Sequence, residues 1–150
     1  MIYINDIIKE SVVDGEGLRY VIFVQGCPHH CKGCHNQQTW NFKGGHWIPE
    51  EVIMTDIKSN PLLDGITFSG GEPFAMDANQ KGLIKLADFA HSINLNVWCY
   101  TGYTFDEIRD KELVKHIDIL VDGKYIEEKR CLAGFKGSIN QNIIKISDVL

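Results

Sequence analysis

Three cysteines lie within one short segment of the chain. Cys27, Cys31 and Cys34 have the spacing C-x3-C-x2-C. Thiolates at this spacing reach one site only if the loop curls around it, and they are the common ligands of iron–sulfur clusters. A [4Fe–4S] cubane held by three thiolates keeps one iron without a protein ligand, and that iron can bind the amine and carboxylate of a small molecule. The spacing predicts a substrate-binding [4Fe–4S] cluster.

A zinc site is the alternative interpretation of the same loop. Structural zinc takes four closed ligands, which commonly come as two pairs separated by a longer stretch. The second pair is missing here, because Cys99 and Cys131 are single and distant and His35 directly follows the third cysteine of the motif. His29 or His30 could complete a tetrahedral set, so the cysteine spacing by itself leaves zinc open.

The composition is that of an ordinary globular protein, with 44% hydrophobic and 23% charged residues. Five cysteines, an odd and clustered set, do not suit a disulfide framework. Lys and Arg number 15 against 20 acidic residues and form no dense basic stretch, so we expect no nucleic-acid ligand. Because no apolar run could span a bilayer and the N-terminus lacks a secretory signal, we expect no membrane association and a cytoplasmic location.

Strand and helix patterns alternate along the chain. β-Branched and aromatic residues predict strands over 18–24, 65–69, 96–100, 117–121 and 143–146. Apolar residues at helical spacing, with a capping box formed by Thr104 and Glu107, predict helices over 50–59, 78–93 and 104 to about 116. Such alternation favours right-handed crossovers and a mostly parallel sheet. We expect a single α/β domain over 1–150 that forms an open partial (β/α) barrel.

Candidate functional residues follow the predicted strands directly. The cysteine loop comes after the first of these strands, and segments 69–73, 101–102 and 122–124 come after the next three. In parallel folds of this kind the chemistry takes place beyond the C-terminal ends of the strands. We therefore expect these four segments to lie close together at one edge of the sheet.

The cysteine motif and the turn Ser69-Gly70-Gly71-Glu72-Pro73, which follows the next βα unit, together resemble the radical S-adenosylmethionine superfamily. In that superfamily the three cysteines hold the cluster, and the Gly-Gly-Glu segment lines the site of the methionyl amino group. The residue types suit this role, because glycines let backbone carbonyls approach a ligand and a carboxylate attracts an ammonium. The resemblance implies a shortened form of the superfamily's core fold.

The resemblance is narrower around the cysteines. Segment 25–40, QGCPHHCKGCHNQQTW, is similar to the glycyl-radical activating enzymes, which share a His-Asn after the last cysteine and a Thr-Trp beyond it. The segments WCYTGY, DILVDGKY and GSINQ resemble the branch that acts on an anaerobic ribonucleoside-triphosphate reductase. This resemblance implies an oxidoreductase that reductively cleaves S-adenosylmethionine and uses the 5′-deoxyadenosyl radical to generate a glycyl radical on that reductase.

The resemblance also implies roles for individual residues. It makes Cys27, Cys31 and Cys34 the catalytic cluster ligands. The contacts that it implies for S-adenosylmethionine are Gly33, Cys34, His35, Ser69, Gly70, Gly71 and Glu72. Their position at strand ends, with an Asp-x-Lys pattern that resembles related activating enzymes, adds Thr101, Asp122 and Lys124. Gly33 stands where the superfamily often has an aromatic residue, so we expect the backbone of 33–35 to contact the adenine. Asn142 stands where this branch has a basic residue.

The family resemblance implies a protein partner for electron transfer, and the sequence leaves two rival functions open. A flavodoxin-like protein is the electron donor that the family implies, and homodimer formation is left open by the sequence. A small-molecule enzyme of the same superfamily, such as a deazapurine synthase, is a second hypothesis; it should carry more chain to close a substrate pocket. A non-enzymatic module that binds zinc or an iron–sulfur cluster is the third.

Overall fold

Seven strands form one mixed sheet in the computed structural model, which describes residues 1–131 and 134–150. The strands are β1 (Ile2–Ser11), β2 (Arg19–Val24), β3 (His46–Ile48), β4 (Gly65–Gly70), β5 (Asn96–Tyr100), β6 (Ile119–Asp122) and β7 (Asn142–Lys145). Their order across the sheet is β3-β1-β2-β4-β5-β6-β7. The sheet is therefore open, with β3 and β7 at its edges.

Helices connect the strands of the parallel part of the sheet. Within the described residues the α-helices are α1 (Glu50–Lys58), α2 (Asp77–Ser92) and α3 (Phe105–Ile108). Short 3₁₀ segments cover Gln37–Thr39, Glu112–His116, Glu127–Lys129 and Ile146–Asp148. The helices predicted over 50–59 and 78–93 are confirmed to within one residue at each end. In 1–131 and 134–150, no helix is both long enough and apolar enough to cross a membrane.

The four central strands, β2, β4, β5 and β6, run parallel. Val24 pairs with Gly70 at the ends of β2 and β4, and Tyr100 pairs with Val121 near the ends of β5 and β6. A crossover segment containing a helix precedes each of the last three strands. This arrangement brings the four C-terminal strand ends to one edge of the sheet, as the alternating pattern predicted.

Antiparallel strands border this central part on both sides. β1 pairs antiparallel with both β2 and β3, and β7 pairs antiparallel with β6. The described residues between β6 and β7 contain no α-helix that could form a crossover, so an antiparallel direction is the accessible one. The sequence pattern predicted β7 but neither β1 nor β3. The α/β class is thus confirmed with a mixed sheet, and curvature into a partial barrel stays a prediction.

One face of the sheet packs against α2. Leu83, Leu86, Ala87 and Ala90 are completely buried on this helix and follow the spacing i, i+3, i+4, i+7 of a single apolar stripe. They join Phe68 of β4 in the hydrophobic core. Each large aliphatic side chain gains about 1.5–3 kcal/mol by leaving water. The helix therefore fixes the strand whose C-terminal end carries the glycine turn.

The third predicted helix is interrupted. The capping box at Thr104 is present, but α3 ends after one turn and a separate 3₁₀ segment follows. In a continuous α-helix Ile108 would lie on the face opposite to Leu113 and Ile117. All three side chains are buried in the core. The break re-aims the chain so that both groups reach the same side, and this explains why the prediction of one helix to about residue 116 was wrong.

Candidate functional site

A cavity of about 320 Å³ lies where the parallel strands end. The cysteine loop, the turn after β4 and the ends of β5 and β6 contribute to its wall. The residues predicted from the sequence that line it are Cys27, Cys31, Cys34, His35, Ser69, Gly70, Gly71 and Thr101. Most of the residues predicted to follow the strand ends therefore lie at one cavity.

Backbone hydrogen bonds fold the cysteine loop against the segment that follows it. Gly26 N donates to Thr39 O over 2.6 Å, and Cys27 N donates to Trp40 O over 3.2 Å. The His30 ring stacks on the Trp40 indole with the ring centroids 4.5 Å apart. Gly26 has a φ of +102°, which favours glycine at the turn out of β2. These contacts curl the loop so that all three cysteines line the cavity.

The motif cysteines are half-buried thiols. Burial raises the pKa of the Cys27 thiol; neighbouring backbone N–H groups oppose this shift, and the charge of Glu72 adds to it. Burial also raises the pKa of the Cys31 thiol, against the backbone N–H of Tyr125 and the positive charge of Lys124. Since a metal binds the thiolate, binding of a metal group at this loop would release protons.

The turn after β4 contacts the cysteine loop directly. Gly71 N donates to Val24 O over 2.9 Å, and Glu72 N donates to Gly26 O over 2.8 Å. A Cβ atom on Gly71 would lie 2.5 Å from Gly26 O, and Gly70 has a φ of +92°. A larger residue at Gly71 would therefore displace the backbone where the cysteine loop begins.

The Glu72 carboxylate is buried among protein donors. Oε1 accepts hydrogen bonds from Gly102 N at 2.7 Å and Thr101 Oγ1 at 2.9 Å, and Oε2 accepts one from Phe74 N at 3.1 Å. His29 Nε2 lies 2.7 Å from Oε1. Among the described residues, 69–71 line the cavity and Glu72 does not. The structure thus places the backbone of the turn at the cavity and the carboxylate behind it.

The remaining predicted residues take different positions. Thr101 lines the cavity at the end of β5. Asp122 is buried, and its Oδ2 accepts a hydrogen bond from Phe105 N at 2.7 Å. Lys124 is exposed, and Gly33 has a φ of +77° beside the Glu127 side chain. The described residues that line the cavity do not include Gly33, Asp122 or Lys124.

Aromatic and amide side chains to which the sequence pattern gave no role also line the cavity. Tyr100 contributes from the end of β5, and the Tyr125 ring lies 5.5 Å from the ring of His35. Gln141 contributes from the last loop, and its Nε2 donates to Gly123 O at 2.8 Å. Tyr125 and Gln141 belong to the segments DILVDGKY and GSINQ, so the resemblance of those segments was the available signal.

Comparison with known proteins assigns the chain to a family. A family model described as a 4Fe-4S single cluster domain matches residues 13–144. A Vibrio cholerae protein named anaerobic ribonucleoside-triphosphate reductase-activating protein is 38% identical over 142 residues, which cover 89% of this chain and 91% of that protein. The chain belongs to the family of these activating proteins.

Other activating proteins of the family are similarly related. Members from Enterobacteria phage T4 and Escherichia coli K12 are 32% and 34% identical over 140 residues. The alignments cover 91% and 87% of this chain and 89% and 90% of the relatives. The similarity therefore spans nearly the whole length of both this chain and its relatives.

The donor set of this activating protein fits the cluster that the family model describes. Its three motif thiols line one cavity on one curled loop. In a [4Fe–4S] cubane each thiolate binds a different iron, so the sulfurs surround the cluster instead of meeting at one point. Within residues 1–131 and 134–150, no three His, Cys, Asp or Glu side chains form a group that could hold a single metal ion.

Proposed function

We propose that this activating protein is a radical S-adenosylmethionine enzyme that generates a glycyl radical on the anaerobic ribonucleoside-triphosphate reductase. One observation carries the proposal: the motif cysteines and the glycine turn at 69–71 line the same cavity at the ends of the parallel strands. The family model supports a four-iron cluster, and the names of the relatives support the partner.

Cys27, Cys31 and Cys34 hold the cluster in this proposal and leave one iron for S-adenosylmethionine. When bound and reduced, the cluster would supply one electron that breaks the C–S bond of the sulfonium and gives methionine and a 5′-deoxyadenosyl radical. This radical would take a hydrogen atom from the Cα of a glycine in the reductase, which leaves 5′-deoxyadenosine and a glycyl radical. The chain's own residues bind, orient and shield the reacting groups from water.

The turn at 69–71 suits the methionyl end of S-adenosylmethionine. Its two glycines expose backbone at the cavity wall, where carbonyl oxygens can accept hydrogen bonds from an ammonium. The buried Glu72 carboxylate lies directly behind this wall, so its negative charge attracts the same ammonium through a poorly screened interior.

The rings of His35 and Tyr125 suit the adenosyl end. Both residues line the cavity, and His35 directly follows the third motif cysteine. Aromatic faces bind a purine by stacking. In this proposal the stacking takes the place of the contact that the superfamily often makes through an aromatic residue at position 33. The adenosyl group is then held beside the cysteine loop.

A polypeptide glycine must reach the cavity from outside. Val13 lines the cavity and is 74% exposed, so the mouth carries an apolar residue that a partner segment can contact. A flavodoxin-like protein is the proposed donor of the electron that reduces the cluster.

Electron paramagnetic resonance of the mixed proteins tests the proposal. The reconstituted and reduced activating protein is incubated anaerobically with S-adenosylmethionine and its reductase, and a glycyl-radical signal is expected. Cys34→Ala should give no signal. Cleavage of S-adenosylmethionine without a radical on the reductase would overturn the partner assignment, and absence of cleavage by cluster-loaded protein would overturn the radical chemistry.

A further inference from the structure

His29 lies two residues after Cys27, and its side chain is turned inward. The side chain is 6% exposed, whereas the neighbouring His30 is exposed. The Tyr103 ring meets the His29 ring edge-on, with centroids 4.6 Å apart. Gly102 leaves space for the imidazole, because a Cβ atom there would collide with His29 Cδ2. The ring therefore has one packed orientation within the cysteine loop.

Glu72 fixes that orientation by a hydrogen bond. His29 Nε2 lies 2.7 Å from Glu72 Oε1, and the Glu72 side chain is completely buried. An ionised carboxylate only accepts hydrogen bonds, so His29 Nε2 is the donor. Hydrogen bonds to a charged acceptor in a buried site are among the strong ones in proteins.

The same carboxylate binds a third segment. Thr101 Oγ1 and Gly102 N, at the end of β5, both donate to Glu72 Oε1. The cysteine loop, the turn after β4 and the end of β5 each contribute to the cavity wall, through Cys27, Gly71 and Thr101 for example. One buried carboxylate thus holds three parts of the wall in register.

We propose that His29 is a positioning residue: by binding Glu72 it fixes the cysteine loop against the turn at 69–71, so that S-adenosylmethionine binds the cluster and the turn together. This inference rests on the proposed function, since it presupposes that ligand. His29 itself lines the cavity, but in this role it acts through Glu72 and transfers no proton. Loss of the His29–Glu72 bond leaves all three thiols in place and weakens the binding of the ligand that spans both segments.

Three variants separate positioning from packing. His29→Leu introduces an apolar side chain of similar volume that cannot donate a hydrogen bond, whereas His29→Gln keeps a side-chain N–H donor. Lys32→Gln is the matched control, because Lys32 is exposed in the same loop and its Nζ lies 3.9 Å from Glu128 Oε1 at the surface. Each protein is reconstituted anaerobically, and iron and sulfide contents report the cluster. Equilibrium dialysis with radiolabelled S-adenosylmethionine gives Kd, and electron paramagnetic resonance of the reduced cluster with and without the ligand reports its arrival.

We expect His29→Leu to hold iron as the parent does, with a Kd raised about 10- to 100-fold, the effect of losing one hydrogen bond to a charged group. The spectral response should be lost at ligand concentrations that saturate the parent. His29→Gln should recover most of the affinity, and Lys32→Gln should match the parent.

The outcomes are distinguishable. Iron-loaded His29→Leu with the parent's Kd and spectral response would overturn the positioning role. If His29→Leu fails to hold a cluster, recovery of both cluster and affinity in His29→Gln would support the role. Failure of both His29 variants beside a loaded Lys32→Gln would overturn it. A cluster-loaded parent that binds no S-adenosylmethionine would instead overturn the proposed function, and the inference with it.

Discussion

Arg19 Nε donates a hydrogen bond of 2.7 Å to Thr67 Oγ1, which joins β2 to β4 beneath the loop after β1. Thr67 Oγ1 in turn donates to Asp14 O at 2.8 Å, and Asp14 lines the cavity. The Arg19 side chain is completely buried, and its Nη2 donates to Ile66 O at 2.7 Å. A single guanidinium thus fixes two parallel strands and one side of the cavity mouth.

Arg19→Met should lower the free energy of unfolding by at least about 3 kcal/mol, because carbonyl oxygens of Glu16, Ile66 and Asn96 lose a buried donor. Urea unfolding of the metal-free protein followed by circular dichroism measures this. Arg109→Met is the matched control: Arg109 pairs with Asp106 on the surface and should change stability by no more than about 0.5 kcal/mol. A similar, small loss in both variants would refute the account of Arg19.

Gly71→Ala should destabilise the protein by about 1–3 kcal/mol, as over-packing usually does. The added methyl group meets Gly26 O, a backbone atom, so the start of the cysteine loop must move. We expect a lower urea midpoint and less iron after reconstitution. Parent-like iron content and midpoint in Gly71→Ala would rule out the close approach of the two segments.

Tyr20→Phe should flatten the alkaline pH dependence of stability. Burial, together with the hydrogen bond from Tyr20 OH to Asp56 Oδ2 at 2.8 Å, raises the pKa of Tyr20 above its usual value. The unfolded chain therefore loses this proton first, so the stabilisation is complete below about pH 10 and is lost as the pH rises further. Burial also raises the pKa of Tyr100, so part of the alkaline loss of stability should remain in Tyr20→Phe.

Urea midpoints of the parent and Tyr20→Phe at several pH values between about 8 and 11 check this. The variant should be less stable at the low end by about 1 kcal/mol, for the lost hydrogen bond. The two curves should then approach each other as the pH rises. Parallel curves over the whole range would show that Tyr20 does not contribute to the alkaline loss.

The parallel strands and the position of the cavity were predictable because their signals are local. The run from Leu18 to Val24 is rich in β-branched and aromatic residues, and the apolar stripe of α2 repeats at helical spacing within a single segment. Once such elements alternate, the topology of parallel sheets places the cysteines and the glycine turn at the same edge. The cysteines thus needed no long-range information to be located.

The parts that could not be predicted depend on partners far away in the chain. β1 is half-exposed along its length and is defined by its pairing with β2 and β3, and the break after Ile108 serves burial against the rest of the core. The spacing of His29 to the cysteines indicated only a role as a zinc ligand. Its partner Glu72 is 43 residues away, and only the folded chain brings the two together.

Formation of 5′-deoxyadenosine tests the central claim most directly. The anaerobically reconstituted and reduced protein should carry about four irons per chain and produce this nucleoside from S-adenosylmethionine. Cys31→Ala should produce none, while Cys131→Ala, which alters a half-buried cysteine outside the described lining of the cavity, should match the parent. Undiminished 5′-deoxyadenosine formation by Cys31→Ala would contradict a cluster held by the three motif cysteines.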